Sequence, residues 1–263
     1  MILLSCAKNM ANKDIRPKKA NPLELTTSPR WLSESAMLVN QLREYTTEQL
    51  QEILHINEKL ALLNRNRLRN WGDKSILYYP AIEGYTGIVF KQLEAQTWDS
   101  VMQERAQKHL RLTSFMYGLL RPYDLIFPYR MEGDVQLPIL NETNLFHFWR
   151  QHLTTQFIED IKISGGTLIY LASNEMRGLF DWKQVTDAVR VITPEFLVHT
   201  DNGLKQVVVY TKMARGQITR WILEHPSADL ADFVWEGYTF DAVLTSERQK
   251  KAVSGELLMT FVL

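Results

Sequence analysis

The sequence is poor in cysteine and carries no net charge. Its 263 residues include a single cysteine, Cys6, so no disulfide can form within the chain. A chain without disulfides is typical of a reducing compartment. Lysine plus arginine and aspartate plus glutamate both number 30, so the formal net charge is zero. A nucleic-acid partner would therefore have to meet a local basic patch rather than the charge of the whole chain.

Long hydrophobic runs are also missing. No stretch approaches the roughly 20 apolar residues that a membrane-spanning helix needs. The apolar run before Ser5 is shorter than the core of a signal peptide. We therefore expect a cytoplasmic protein with no membrane partner, and we favour a monomer.

The common cofactor and catalytic signatures are absent as well. The sequence has no GxxxxGK[ST] phosphate loop, no GxGxxG turn and no GxSxG elbow. The six histidines never form HxxxH, and one cysteine argues against a zinc or iron–sulfur site. We predict no metal site and no cofactor.

Short apolar runs alternate with helical patterns along the whole chain. The β-like runs include Ile2–Leu4, Thr167–Ala172, Val189–Ile192, Val207–Tyr210 and Leu257–Val262. The helical patterns include Ser33–Tyr45, Lys59–Trp71, Phe146–Ile161 and Met213–Glu224. This mixture predicts an α+β (mixed α/β) fold, with residues 1–263 forming one domain in which helices pack around a mixed β-sheet.

Residues 46–71 contain a possible helix-hairpin-helix-like element. Thr46 and Gln49 have the spacing of a capping box at the start of its first helix. His55-Ile56-Asn57 joins the two helices, where a DNA-binding hairpin normally has a glycine that lets backbone amides approach phosphate. The alternative is an ordinary helical pair.

Four polar segments follow apolar runs, at the kind of position where α/β folds gather ligands. They are Ser5-Cys6-Ala7-Lys8, the stretch from His109 to Arg130 with Arg111, Tyr117, Arg121, Asp124 and Tyr129, then Ser173-Asn174-Glu175, and Lys212 to Gly216 followed by Arg220. Lysine can meet a phosphate as a point charge, arginine offers a planar fork and tyrosine can stack on a base. These segments predict a surface that binds an anion or a nucleic acid.

The first two segments have structural interpretations too. Lys8 is either a surface lysine on a turn, a phosphate contact or, if desolvated, a nucleophile. Arg121 either meets a ligand or braces its turn through an ion pair with Asp124.

The last two segments are equally open. Ser173 can be a helix N-cap, whereas Glu175 can accept a proton, orient a lysine or recognise a base edge. Lys212 and Arg215 either form a solvated basic turn or reinforce the preference of a helix start for anions.

Taken together, the polar segments resemble the peroxide stress resistance protein YaaA family, from Ile2 to about Gly255. The motifs that carry the resemblance are Leu4-Ser5 with Ala7-Lys8, Tyr85-Thr86-Gly87, His109-Leu110-Arg111, Tyr117-Gly118-Leu119-Leu120-Arg121-Pro122 with Asp124-Leu125, Pro128-Tyr129-Arg130, Leu171-Ala172-Ser173 with Glu175, Lys212 with Ala214-Arg215-Gly216, and Glu236-Gly237-Tyr238. Their order and number make the resemblance specific. The chain departs from the family at Cys6, Asn9, Asn174 and Met176, where proline, threonine, aspartate and an aromatic residue are usual.

The resemblance implies a cytosolic protein that limits peroxide damage by keeping unincorporated iron low. It also implies binding to duplex or irregular DNA through a basic cleft and a helix-hairpin-helix element. The matching motifs assign Lys8, Arg121, Arg130, Lys212 and Arg215 to that cleft.

Two functions follow as hypotheses. The first is a DNA-binding stress protein. The alternative is an enzyme acting on a nucleobase, nucleotide or other anionic metabolite, with Lys8 and Glu175 as candidate catalytic residues beside Tyr85 and Lys212. A long open groove would favour the first hypothesis, and a closed pocket would favour the second. Direct iron binding has no matching set of ligand residues.

Overall fold

One large, mostly parallel sheet forms the centre of the fold. A computed structural model of the protein describes residues 1–11, 25–73, 78–141 and 143–263. The strands are β1 (Ile2–Leu4), β2 (Tyr79–Pro80), β3 (Leu110–Ser114), β4 (Gly118–Leu120), β5 (Leu125–Ile126), β6 (Thr167–Tyr170), β7 (Arg190–Thr200), β8 (Gly203–Lys205), β9 (Thr239–Phe240) and β10 (Glu256–Val262). The large sheet has the order β4-β3-β1-β6-β7-β10-β9, β8 pairs with β7, and β2 pairs with β5 in a separate small sheet. Strands β1, β3, β6, β7 and β10 run parallel, whereas β4, β8 and β9 are antiparallel to their neighbours.

Helices occupy the connections between the strands. They are α1 (Leu32–Arg43), α2 (Thr47–Ile53), α3 (Glu58–Asn70), α4 (Ala81–Gly84), α5 (Ile88–Leu93), α6 (Ser100–His109), α7 (Leu145–Ile163), α8 (Trp182–Ala188), α9 (Val208–Glu224) and α10 (Ala242–Arg248). The mixed α/β class predicted from the sequence is confirmed. Within the described residues, no helix is both long and apolar enough to cross a membrane.

The connections that leave the two central strands, β1 and β6, lead to opposite sides of the sheet. The connection that leaves β1 leads to β3 on one side, whereas the connection that leaves β6 leads to β7 on the other side. Because β1 and β6 are parallel neighbours, the loops after them diverge and leave a crevice at their carboxyl ends. This topological switch point is where open α/β sheets bind ligands.

Helix α7 shows how burial fixes one element against the sheet. Trp149, Leu153, Phe157 and Ile161 recur every four residues and are fully buried. The Trp149 indole Nε1 donates a hydrogen bond of 2.9 Å to the carbonyl of Phe115 in the turn between β3 and β4. Burying one such large side chain contributes about 1.5–3 kcal/mol. The helix therefore holds the β3–β4 turn in place at the edge of the crevice.

The helical pair predicted at 46–71 is present as α2 and α3. The Thr46–Gln49 capping box is confirmed, and Asn57 caps α3 by accepting a hydrogen bond of 2.9 Å from Leu60 N. His55 takes a left-handed conformation with φ of 49°, the region that glycine favours. The depression beside this turn includes Glu48 and Glu52. Carboxylates there repel phosphate, so the fit of this pair to a DNA-binding hairpin is poor.

One predicted strand is wrong. Residues Val207–Tyr210 are rich in β-forming side chains, but α9 begins at Val208 and continues to Glu224. Strand propensity is a weak preference that packing overrides. Thr211, Ala214 and Ile218 are buried along one face of the helix. As a result, Lys212 and Arg215 lie inside a helix rather than on a strand-to-helix turn.

Candidate anion-binding site

A cavity of about 350 Å³ opens at the carboxyl ends of β1, β3 and β6. Its floor is the point where the loops after β1 and β6 meet. The backbone N–H of Ser173 donates to the Ser5 hydroxyl at 2.7 Å, and the two serine hydroxyls lie 3.1 Å apart. These hydrogen bonds join the two diverging loops directly. We call this space the switch-point cavity.

On one side of the cavity, Glu132 pairs with two cations. The Lys8 ammonium lies 3.1 Å from one Glu132 carboxylate oxygen, and an Arg130 guanidinium nitrogen lies 2.7 Å from the other. Arg130 also donates a hydrogen bond of 3.2 Å to the carbonyl of Lys8. The Lys8 side chain is 69% exposed and is therefore accessible to water. The desolvation that would make it a nucleophile is missing in this structure.

On another side of the cavity, α9 contributes two cations without a counter-ion among the residues that the structure describes. Lys212 and Arg215 both line the cavity, and neither forms an ion pair with any residue that the structure describes. The Arg215 Nε is buried without a hydrogen-bond partner in the same part of the chain. Burial lowers the pKa of this guanidinium. Burying a polar atom without a hydrogen bond is unfavourable, and an anion at the cavity would give the Arg215 guanidinium a charged hydrogen-bond partner.

The remaining carboxylate of the cavity is Glu175. It is exposed and accepts a hydrogen bond of 3.3 Å from the Ser173 hydroxyl. Ser173 stands at the N-cap position of a 3₁₀-helix, Asn174–Leu179, but its side chain makes no capping bond. Its hydroxyl is used instead in the link between Ser5 and Glu175. Ser173 therefore occupies the predicted N-cap position without a capping hydrogen bond from its side chain.

The rest of the cavity wall is largely apolar. Its buried members are Phe90, Phe115, Met131, Leu171 and Met176. The Cys6 thiol also lies at the cavity, and burial raises its pKa to about 12. A thiol with that pKa stays neutral at physiological pH, so it is a small apolar group rather than a reactive thiolate.

Two predicted tyrosines form a buried network at the cavity, and one of them, Tyr129, is part of its wall. The Tyr85 and Tyr129 hydroxyls are 2.7 Å apart, and Ser114 lies 2.7 Å from the Tyr129 hydroxyl. Burial raises the pKa of both phenols well above their ordinary value. Tyr117 is also buried, and its hydroxyl accepts a hydrogen bond of 2.9 Å from the Trp71 indole. Tyr85 and Tyr117 are not part of the cavity lining, whereas the buried Tyr129 contributes to it together with Phe90 and Phe115.

The structure separates Arg111 and Arg121 from the switch-point cavity. Strand β4 runs antiparallel to β3, so the chain returns to the amino edge of the sheet before it reaches Arg121. There Arg121 pairs with Asp124 at 2.9 Å, and the buried Arg111 pairs with Asp160 at 3.2 Å. Both arginines line a different depression. The expectation that all the predicted cations share one concave surface is therefore wrong for this pair, and the bracing ion pair Arg121–Asp124 is confirmed.

Four further predicted residues lie outside the cavity wall. Arg220 points to Glu94 and Glu224, with ion pairs of 2.9 and 2.8 Å. A side chain at Gly216 would come within 2.5 Å of the Val89 carbonyl, so this glycine allows α9 to approach α5. The other two are Asn174, which accepts a hydrogen bond from Arg177, and Thr86, whose backbone N–H bonds to Asn9 O.

Sequence reasoning missed Glu132 and the residue that positions Arg130. Glu132 stands two residues after Arg130, the spacing that puts two side chains on one side of an extended segment. The buried Asn64 of α3 accepts a hydrogen bond of 2.8 Å from Arg130 N and donates one of 3.2 Å to Arg130 O. Nothing in the local sequence indicates this contact, because 66 residues separate the two partners.

The chain is similar to known proteins along its whole length. A family described as "Peroxide stress protein YaaA" matches residues 1–244. A UPF0246 protein of Bacteroides thetaiotaomicron is 45% identical over 258 residues, which cover 97% of this chain and 98% of the relative. A UPF0246 protein of Porphyromonas gingivalis is 41% identical over 251 residues, covering 94% and 96%. One of Neisseria meningitidis serogroup B is 35% identical over 256 residues, covering 94% and 95%.

Proposed function

This chain belongs to the family of the peroxide stress protein YaaA, and from that membership we propose that it acts in peroxide stress by binding DNA through the switch-point cavity. We propose further that this binding limits the damage that unincorporated iron does to DNA. The observation that carries the proposal is the pair Lys212 and Arg215, two cations at the cavity without a counter-ion among the described residues. A phosphate would supply the missing negative charge.

The salt dependence of DNA binding tests this function. The logarithm of the association constant falls linearly with the logarithm of the salt concentration, with a slope of about 0.9 for each phosphate that the protein neutralises. We expect Lys212→Gln combined with Arg215→Met to weaken DNA binding and to reduce that slope by up to about 2 between about 50 and 200 mM salt. The matched control is Lys183→Gln combined with Arg220→Met, since both of those cations pair with carboxylates away from the cavity. An affinity that is the same at low and high salt would contradict the proposal.

One observation favours a second function, an enzyme acting on a nucleobase, nucleotide or other anionic metabolite. The cations gather at a cavity of about 350 Å³ rather than along a continuous groove that includes Arg121. Lys8 has a carboxylate partner there, Glu132 at 3.1 Å, in place of the expected Glu175. A bound ligand that covers Lys8 would desolvate it and permit imine chemistry.

Borohydride trapping tests the second function. Incubation of the full chain with DNA containing an abasic site, followed by reduction, would capture a lysine imine as a covalent adduct. Loss of the adduct in Lys8→Ala would support an imine at Lys8. Equal trapping by Lys8→Ala and the unaltered chain would remove Lys8 from that role.

A further inference from the structure

The charge balance of the switch-point cavity favours a phosphate monoester over a single phosphodiester. Among the residues that the structure describes, its wall contains four cations, Lys8, Arg130, Lys212 and Arg215, and two carboxylates, Glu132 and Glu175. The excess is therefore two positive charges. A phosphate monoester carries about −1.5 to −2 at pH 7, whereas each phosphodiester within a strand carries one negative charge. The monoester fits the excess more closely.

The arrangement of the cations supports the same conclusion. Glu132 already pairs with Lys8 and Arg130, at 3.1 and 2.7 Å. Lys212 and Arg215 have no such partner in the described chain, and they stand three residues apart on α9, which places them on neighbouring positions of one helix face. A group with several oxygens can meet both side chains at once.

The apolar wall requires a ligand with more than a phosphate. Phe90, Phe115, Met131 and Met176 are buried at the cavity. A sugar phosphate has too little apolar surface to cover them, whereas a nucleobase has a flat face that packs on aromatic rings and thioethers. Ligand pockets of this kind combine a mainly apolar lining with a few convergent polar groups.

The size of the cavity limits the ligand to one nucleotide unit. Its volume of about 350 Å³ is near the lower end of the range for ligand pockets, roughly 300–1,000 Å³. A stacked run of bases needs an open platform rather than such a space.

We infer that the switch-point cavity binds one nucleoside monophosphate unit, with its phosphate monoester on Lys212 and Arg215 and its base on the apolar wall. This inference rests on the proposed function and deepens it. The unit has two sources that share this chemistry: a free mononucleotide and the phosphorylated end of a DNA strand.

Calorimetric titration of the full chain tests the inference. The probes are thymidine 5′-monophosphate, thymidine, inorganic phosphate, and a short single-stranded oligothymidylate with either a 5′-phosphate or a 5′-hydroxyl. We expect the monophosphate to bind about tenfold or more tightly than thymidine or inorganic phosphate. If strand ends are the source, the phosphorylated oligonucleotide binds about tenfold or more tightly than the hydroxyl form.

The outcomes separate the inference from the proposed function. Tight binding of the monophosphate with no binding of either oligonucleotide supports the inference and contradicts a DNA-binding function. Equal binding of the two oligonucleotides, with a monophosphate no tighter than inorganic phosphate, overturns the inference and leaves DNA binding standing. Failure of every probe to bind overturns both.

Variants locate the phosphate. Arg215→Met should lower affinity for every phosphorylated probe by about 30-fold or more, the usual loss when a charged hydrogen-bonding partner is removed. Arg215→Lys keeps the positive charge, so its affinity for the phosphorylated probes should lie between those of Arg215→Met and the unaltered chain. Lys212→Gln, on an exposed side chain, serves as a second variant that leaves the fold intact. The control is Arg220→Met on the same helix, whose guanidinium contacts Glu94 and Glu224, and it should bind all probes like the unaltered chain.

Discussion

Ser5 and Ser173, 168 residues apart in the sequence, hydrogen bond to each other at the carboxyl ends of two parallel neighbouring strands. Ser5 follows β1, whose chain continues towards β3, and Ser173 follows β6, whose chain continues towards β7. Their contact closes the floor of the crevice that this divergence creates. The position of the cavity is therefore a consequence of the sheet topology.

The two serines are not equivalent in this contact. Ser5→Ala removes the acceptor of the Ser173 N–H, at 2.7 Å, and leaves that donor without its partner. We expect the free energy of unfolding to fall by about 1–3 kcal/mol. Ser173→Ala keeps the N–H bond to Ser5 and removes only the bonds of its own hydroxyl, so its effect should be smaller. Urea unfolding of both variants measures the difference, and an equal decrease in the two would contradict this account.

Asn64 should affect ligand affinity although it lies on α3, outside the cavity wall. Asn64→Ala leaves the N–H and carbonyl of Arg130 without their hydrogen-bond partner. We expect a loss of about 1–3 kcal/mol in unfolding free energy, together with weaker phosphate binding at temperatures where the variant is fully folded.

Asn57→Ala is the matched control for Asn64, since Asn57 caps the same helix. Loss of the cap should cost about 1 kcal/mol and leave phosphate affinity unchanged. If both variants lose affinity in proportion to their stability, Asn64 has no specific role in positioning Arg130.

The Cys6 thiol should be inert in the folded chain. Burial raises its pKa to about 12, so the reactive thiolate is scarce at neutral pH. We expect slow modification by Ellman's reagent in buffer and fast modification in urea. Rapid reaction of the folded chain would contradict the raised pKa of this half-buried thiol.

Because the pKa of Cys6 is raised in the folded chain, this residue makes the free energy of unfolding fall as the pH rises. The folded pKa lies above the ordinary value of about 8.5, so the contribution of Cys6 is fully present below that pH. It is lost as pH rises towards 12, because the unfolded chain releases its proton first. We expect Cys6→Ser to show a smaller drop in unfolding free energy between about pH 8 and 10. An identical drop in both chains would contradict this assignment.

The turn of the helical pair offers a test of backbone strain. His55 adopts φ of 49°, a conformation that costs a residue with a side chain roughly 1–2 kcal/mol. We expect His55→Gly to raise the free energy of unfolding by up to about 1 kcal/mol, since the greater freedom of glycine in the unfolded chain offsets part of the gain. Chemical denaturation of His55→Gly and the unaltered chain measures this change in unfolding free energy. A clear destabilisation of the variant would mean that the His55 side chain contributes to packing.

Local features of the fold could be predicted from the sequence. The capping box at Thr46 and Gln49 and the apolar face of α7 depend on contacts between residues a few positions apart, and both are confirmed. The strand predicted at Val207–Tyr210 is wrong because the face that fixes α9 as a helix begins further on, at Thr211 and Ala214.

The grouping of the site residues depends on topology. Lys8, Arg130, Lys212 and Arg215 do line one cavity, but Arg121 lies at the opposite edge of the sheet because β4 turns back beside β3. The sequence of β3 and β4 does not by itself predict that β4 turns back beside β3. Asn64 was missed for the same reason, since its partner Arg130 lies 66 residues away. Glu132 has one partner nearby, Arg130, and one distant in the chain, Lys8, and only the first contact has a signal in the local sequence.

The central claim is that Arg215 is held at a cost to the fold in order to meet an anion, and thermal unfolding of Arg215→Met with and without thymidine 5′-monophosphate tests it most directly. We expect this variant to gain about 0.5–2 kcal/mol in unfolding free energy without ligand, because it removes a half-buried cation whose Nε has no hydrogen-bond partner among the described residues. We also expect it to lose the stabilisation that the ligand gives the unaltered chain. Arg220→Met should instead lose up to about 1 kcal/mol and keep the full ligand effect. A less stable Arg215→Met chain that the ligand still stabilises fully would contradict the account.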